Sequence, residues 1–392
     1  MKKAILFFFF VFSTCTLKAQ VFQLSGYLKK MHSFYFLQHE IPLPNGDSTK
    51  FTYYNLFHNR LNFTIRPFRG FQIDVGMRNR LLDGALIREI PQYANILSLD
   101  DGIVDLNWNI IHTGGWLFNT SFDRFVLDYS WKRFQIKIGR QRINWGINLV
   151  WNPNDIFNAF SYMDFDYEER PGSDAVSFTW YSSSFSSLDA VFKIDKDSMT
   201  TLAVRYLFNV KRYDIQVTGG KNEKDIVIGG GWSGNIKNVS FRGEASFFVS
   251  VFDKNDRGKT ALSATVSADY TFDNSLYLHG AFLFNSMGTT KKEGGISLLG
   301  SSLNLSAKQL SIGMYELFGQ ISYPVLPILS LDLVGMFNPA DLSVYCSSGT
   351  TISLHNNIEL LLHGQFLFGK QGSEYGANGN TYVASCRLRW SF

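Results

Sequence analysis

Nine ionisable residues crowd one part of this chain: Lys137, Arg140 and Arg142, then Asp155, then Asp164, Asp166, Glu168, Glu169 and Arg170. Most fall in the stretch GRQRINWGINLVWNPNDIFNAFSYMDFDYEERPG, Gly139 to Gly172, which is also dense in Trp, Asn and Phe. Acids set against bases in this way suit two kinds of work. In a narrow wet passage they create a transverse field that orients polar solutes and filters ions. In a folded loop they pair to hold it, because buried charges require partners. One network can do both. Carboxylate oxygens also suit Ca2+, but the run DFDYEE lacks the ligand spacing of an EF-hand loop.

Other chemistry finds less support. The seven histidines, His32, His39, His58, His112, His279, His355 and His363, are scattered, and none sits in a catalytic motif. GGGWSGN at Gly229–Asn235 looks like a nucleophile elbow, yet a G-x-S-x-G motif would need Gly where Asn235 stands. No metal-ligand spacing and no nucleotide loop is visible. The reading is therefore a non-enzyme with no cofactor and no bound metal. Cys346 and Cys386 are expected as free thiols, Cys386 packed as a small hydrophobe on the lipid-facing side.

The rest of the chain must position these residues. It begins MKKAILFFFFVFSTCTLKAQ. Two lysines precede an apolar run, Ala4–Phe12, too short to span a bilayer as a helix, which takes about 20 residues. Residues 1–19 read as a secretory signal peptide cleaved after Ala19. A lipoprotein signal at Cys15 is the alternative, with Thr14 a poor fit before it. Lys2, Lys3 and Lys18 leave with the signal, so 34 basic residues face 33 acidic ones. That near-balance leaves no basic stripe for nucleic acid.

Residues 20–392 read as one all-β domain. Aromatic content is 16%, with 36 Phe, and Pro numbers only 9, which suits a chain built of strands. Period-2 alternation recurs. In TALSATVSADYTF, Leu262, Ala264, Val266, Ala268, Tyr270 and Phe272 share one face, and Thr265 and its neighbours share another expected to meet water. Short turns at Pro67–Gly70, Trp131–Arg133, Ser182–Ser184, Val210–Lys211, Phe272–Ser275 and Tyr323–Pro327 roughly alternate with longer polar stretches at Gln38–Lys50, Leu81–Asp101, Arg142–Ser173, Ser286–Ala307 and Lys370–Asn380. Tight turns on one side of a membrane and long loops on the other are the habit of outer-membrane barrels. The pattern predicts a single antiparallel transmembrane β-barrel of about 18 strands, within a range of 16 to 20. Gly102–Asp123 reads either as two short strands or as one strand with an extended loop. The chain ends TYVASCRLRWSF, alternating to a terminal Phe. Trp390 and Phe392 are expected to serve as the assembly signal read by the barrel-assembly machinery.

Within this frame, Phe125–Ser130 and Phe134–Gln141 form a hairpin around Trp131-Lys132-Arg133. Lys137 faces the lumen. Strict alternation turns Arg140 towards lipid, so it is placed at the membrane edge. The connector 142–173 then carries Trp145, Trp151, Ile156, Phe157, Phe160, Phe165 and Tyr167, too much apolar surface to leave exposed. It is expected to fold back into the lumen as a constriction loop, with Asn154 or Asp155 capping a short helix through Phe160, and with the nine ionisable residues setting width and selectivity.

The string GRQRINWG…NPND…DFDYEERPGSDA resembles a porin-like outer-membrane barrel family of Gram-negative bacteria, distantly similar to alginate-export and substrate-specific porin barrels. The likeness is specific over Phe125–Ala175. It implies an in-folded loop and a passive channel for a small polar solute, in contact with outer-membrane lipids. The alternative is a non-conducting structural or adhesive outer-membrane barrel.

Overall fold

The computed structural model describes residues 21–43, 47–90, 92–159, 161–166, 169–253, 257–291, 295–296 and 306–392. The signal segment lies outside them, as do Phe160, Tyr167 and Glu168.

Alternating sequence becomes strand almost everywhere. β1 (Phe22–Pro42), β2 (Ser48–Phe68) and β3 (Phe71–Asp83) come first, followed by two short helices, α1 (Ala85–Glu89) and α2 (Gln92–Leu97). Next are β4 (Asn107–Thr113), β5 (Trp116–Trp131) and β6 (Phe134–Gln141). After the connector come β7 (Ser173–Ser183), β8 (Ser186–Ile194), β9 (Thr200–Val210), β10 (Tyr213–Asn222), β11 (Asp225–Ile236), β12 (Val239–Ser250), β13 (Thr260–Thr271) and β14 (Tyr277–Asn285). The chain closes with β15 (Tyr315–Leu326), β16 (Leu329–Asn338), β17 (Ser343–His355), β18 (Ile358–Phe368) and β19 (Thr381–Ser391).

Neighbouring strands pair antiparallel, and β1 pairs with β19 from Tyr27↔Ser391 to Leu37↔Thr381, which closes the sheet. The last residue takes part: Gly26 N donates to Phe392 O at 2.9 Å and Phe392 N to Gly26 O at 3.0 Å. Closure gives each ring strand a partner on both sides, as a sheet in lipid requires. The ring has 18 strands, because β3 pairs directly with β5 and leaves β4 outside the count. β6 engages only the lower half of β5, Phe125–Trp131, and β4 takes the vacant upper half, Trp116–Ser121. The ambiguous segment 102–123 is thus one short accessory strand and the start of one ring strand. Neither helix was foreseen. Both bury aliphatic residues, Leu86 and Ile87 from α1 and Ala94 from α2, against the inner ends of β1–β3 and β5.

The two faces differ in chemistry. Ile136, Ile138, Val176, Phe178 and Val266 are exposed on the outside. Many inward-facing residues are polar and fully buried, among them Lys29, Arg60, Gln216 and Glu244. Apolar-out and polar-in is the arrangement of a sheet whose outer solvent is hydrocarbon. Cys346 and Cys386 are free, half-buried thiols.

Candidate functional site

The connector 142–172 reaches inward-facing groups on strands around most of the ring. Its first part meets the β7–β13 wall. Ile143, Trp145 and Phe157 pack with Ala175 on β7, Val191 on β8 and Ala203 on β9, and the rings of Trp145 and Phe157 meet edge to face at 5.0 Å. Gln216 Nε2 on β10 donates to Trp145 O at 2.7 Å. Glu244 on β12 accepts three backbone amides, from Ile147, Asn148 and Asn154. Asn154 also donates to Gly230 O at 2.9 Å and accepts from Ser246 Oγ at 2.7 Å. The glycine run that mimicked a nucleophile elbow has its use here. A Cβ at Gly229 would lie 2.5 Å from Asn154 Oδ1, so a side chain there would block the docking.

The middle of the connector crosses to β14–β18. Val150, Trp151 and Met163 join Leu283, Phe318, Met336, Tyr345 and Leu367 in one apolar cluster. Gln365 Nε2 donates to Met163 O at 2.9 Å, and Phe165 stacks on His363 with centroids 4.0 Å apart. The far end meets the seam. Asp166 accepts from Lys29 Nζ at 2.8 Å and from Arg387 Nη1 at 3.3 Å. Glu169 accepts from Tyr27 Oη at 3.0 Å and pairs with Arg60 Nε at 3.7 Å. Arg60 is fully buried and also holds Asp123 bidentately, at 2.6 and 2.9 Å.

Asp166 and Glu169 are received by Lys29, Arg60 and Arg387, members of a basic wall that was not foreseen. Lys29, Arg60, Arg78, Arg80, Arg387 and Arg389 occupy inward positions on β1, β2, β3 and β19, four neighbouring strands. Each looks like an ordinary polar member of an alternating strand. The usable signal was closure: once the last strand must pair with the first, Arg387 and Arg389 fall beside Lys29.

Several expected site residues are placed elsewhere. Lys137 does not oppose the connector's acids. It lies 3.6 Å from Asp128 on the neighbouring strand, too low on the wall to reach them. Arg140 is not a lumen residue. It shares the parity of Ile136 and Ile138, points outwards, and is clamped by Asp174 and Asp100 at 2.7 and 2.5 Å, with Val104 O accepting at 2.6 Å. The segment 100–104 covers it from outside, which is how a cation on the apolar face avoids lipid. Gly102 makes that approach possible, since a Cβ there would overlap the guanidinium. Asp155 is 1% exposed and faces no passage. The expected helix beginning at Asn154 or Asp155 is a turn instead, because Asn154 spends its amide side chain on the wall. Thr265 points inwards but is 2% exposed, since it sits next to Glu244 under the connector rather than in open water.

Asp164 is open to lumen water yet ringed by protein. That enclosure, with Asp166 beside it, raises its pKa, and Arg78, Arg170 and Lys29 oppose the shift. Arg170 holds a left-handed φ of 40° at the connector's far end. Arg142 lines a cavity of about 370 Å3 against β2, β3, β5 and β6, together with Thr64, Asp74, Arg124, Asp128 and Lys137. Glu168 lies outside the described residues.

The far anchor gives a direct test. Asp166→Asn removes the carboxylate that Lys29, 2% exposed, shares with Arg387. Losing one member of a buried pair costs about 3–5 kcal/mol. The variant should therefore lose its heat-resistant folded band at a clearly lower temperature than the parent in gel-shift melting. An unchanged transition would mean that the pair holds nothing.

No family model matches the chain, and no curated protein matches it. Solved structures do. OccK5 (OpdH) of Pseudomonas aeruginosa superposes with a TM-score of 0.59 at 8% identity, covering 94% of this chain and 98% of that one. OccAB4 of Acinetobacter baumannii gives 0.55 at 8% identity, covering 95% and 99%. The outer membrane protein OprD of P. aeruginosa gives 0.52 at 8% identity, covering 94% and 93%. At this identity the likeness is one of fold, and it extends over nearly the whole of each chain.

Proposed function

From this shared barrel as premise, we propose that the chain is an outer-membrane channel of a Gram-negative bacterium, passing small polar solutes by passive diffusion, with 142–172 as its constriction. One observation carries the reading. The connector is tied to inward side chains of the seam, the β7–β13 wall and the β14–β18 wall, while the β2, β3, β5 and β6 wall lines a polar cavity. A barrel of this strand number is wide enough for water unless something fills it. A strip of chain fastened on three sides fills part of the lumen and leaves a lane along the fourth.

That lane is amphoteric. Arg124, Arg142 and Lys137 line it together with Asp74 and Asp128, which favours polar solutes that present both signs over simple ions. Trp390 and Phe392, at the closing seam, are the groups through which the assembly machinery would take hold. Planar-bilayer recording of the purified full chain tests the channel reading. Discrete ohmic steps are expected. A correctly inserted barrel that carries no current would instead favour a structural or adhesive role.

A further inference from the structure

We propose that Asp155 is a proton-operated latch: the 142–158 part of the connector docks with Asp155 neutral and loosens when Asp155 ionises. The other described acids of the connector reach water or a cation: Asp164 is open to the lumen, Asp166 has Lys29 and Arg387, and Glu169 has Arg60. Asp155 has neither. It is 1% exposed, and neither carboxylate oxygen receives a hydrogen bond of good geometry. A buried carboxylate left without a partner takes up a proton in preference to keeping its charge.

The groups around it are few. Arg142 stands nearby without forming an ion pair, its Nε buried and unpartnered. Glu244 approaches from β12, occupied by its three amides. The amides of Trp145 and Asn158 approach from the connector itself. Further out, Lys193 donates to Phe157 O, and Arg205 lies over the Trp145 ring while paired with Asp189. Burial is the largest influence and pushes the Asp155 carboxyl up to about 8. Arg142 and the two amides pull it down, and Glu244 pushes it further up.

The sign follows. In a released connector the carboxyl meets water and titrates near its ordinary value of about 3.9. Docking therefore binds a proton. The docked state is most favoured below about pH 4 and loses up to about tenfold in population ratio per pH unit as pH rises. It levels off above the docked value near 8. Glu244's grip on the amides of Ile147, Asn148 and Asn154 is what this titration works against.

The consequence for flow rests on the constriction reading, but the latch can be read without it. Hydrogen exchange of the full-length protein in lipid nanodiscs, corrected for intrinsic rates, reports docking at the three amides that Glu244 holds. Their opening should increase by several-fold per unit between pH 5 and 7 and flatten near 8. D155N should remove most of that slope. R142Q should carry the flattening to higher pH, because it deletes the main group opposing the shift. A parent slope of zero, a D155N slope equal to the parent's, or an R142Q profile with its flattening unmoved would each overturn the latch. Conductance measured on the same preparations separates the two readings: exchange that follows pH while conductance stays constant upholds the latch and counts against the constriction.

Discussion

A barrel in which Asn148–Asp164 is replaced by a short Gly-Ser linker conducts several-fold more than the parent and inserts as well. The deleted stretch supplies Val150, Trp151 and Met163 to the β14–β18 cluster and two of the three amides on Glu244. Ile296, Leu310 and Tyr375, from the connections after β14 and β18, pack in the same cluster and would stay in place. Insertion should survive, because the ring is built of strand pairings that the deletion does not touch. Charge is separable from width. Changing Asp164, Asp166, Glu168 and Glu169 to Asn or Gln should shift selectivity towards anions, since Lys29, Arg60, Arg78 and Arg387 would keep their charge while the connector lost its own. The shift should shrink as salt is raised, because the field is screened within about 10 Å at 0.1 M. If the shortened barrel inserts normally and carries no more current than the parent, the connector does not constrict anything.

Val266→Arg abolishes insertion or reduces it severely. Val266 sits mid-strand on β13, exposed on the outer face, with Phe282 of β14 beside it and Gly243 of β12 on the other side. An arginine facing lipid near the bilayer midplane costs roughly 2–4 kcal/mol, and little on this outer face offers a counter-charge. The matched control is Thr64→Arg. Thr64 lines the polar cavity and donates to Asp74 at 2.6 Å, so the new cation gains a carboxylate within the lumen. Comparing heat-modifiable protein in the outer-membrane fraction reads both. Equal insertion of the two variants would mean that inside and outside have been assigned wrongly.

The fold was legible because its signal is local. Alternation, tight turns and long loops each lie within a few residues, and together they lead to a ring whose 18 strands match the expected number. β4 was ambiguous because its seven residues alternate only partly and belong to no membrane-spanning pair. The connector stood out for the same local reason, its density of aromatics. Its partners did not stand out, since pairing Asp166 with Lys29 depends on residues 137 apart. Arg140 shows the limit most clearly. Parity turned it outwards, correctly, yet without knowing that Asp100 and Val104 would cover it, a pore role looked reasonable. Charge type can be read from sequence, but the identity of the opposing charge is a property of closure.

That closure bears on how the barrel can form. Apart from β3 with β5, the other ring pairings join strands consecutive in the chain, so each can zip from a turn or a loop. The seam is different: Tyr27 meets Ser391 across nearly the whole chain. Contacts so remote in sequence carry the largest loop-closure cost and form late. Until they do, β1 and β19 both present bare edges, which in lipid have no solvent to satisfy them and in water invite pairing with other chains. The cationic wall is split by this same line, with Arg387 on one side and Lys29 on the other, and Asp166 bridges them. A half-made barrel therefore has half a binding wall. The connector's far anchor can be completed only by a ring that has already shut, so a docked connector is itself a report that assembly is finished.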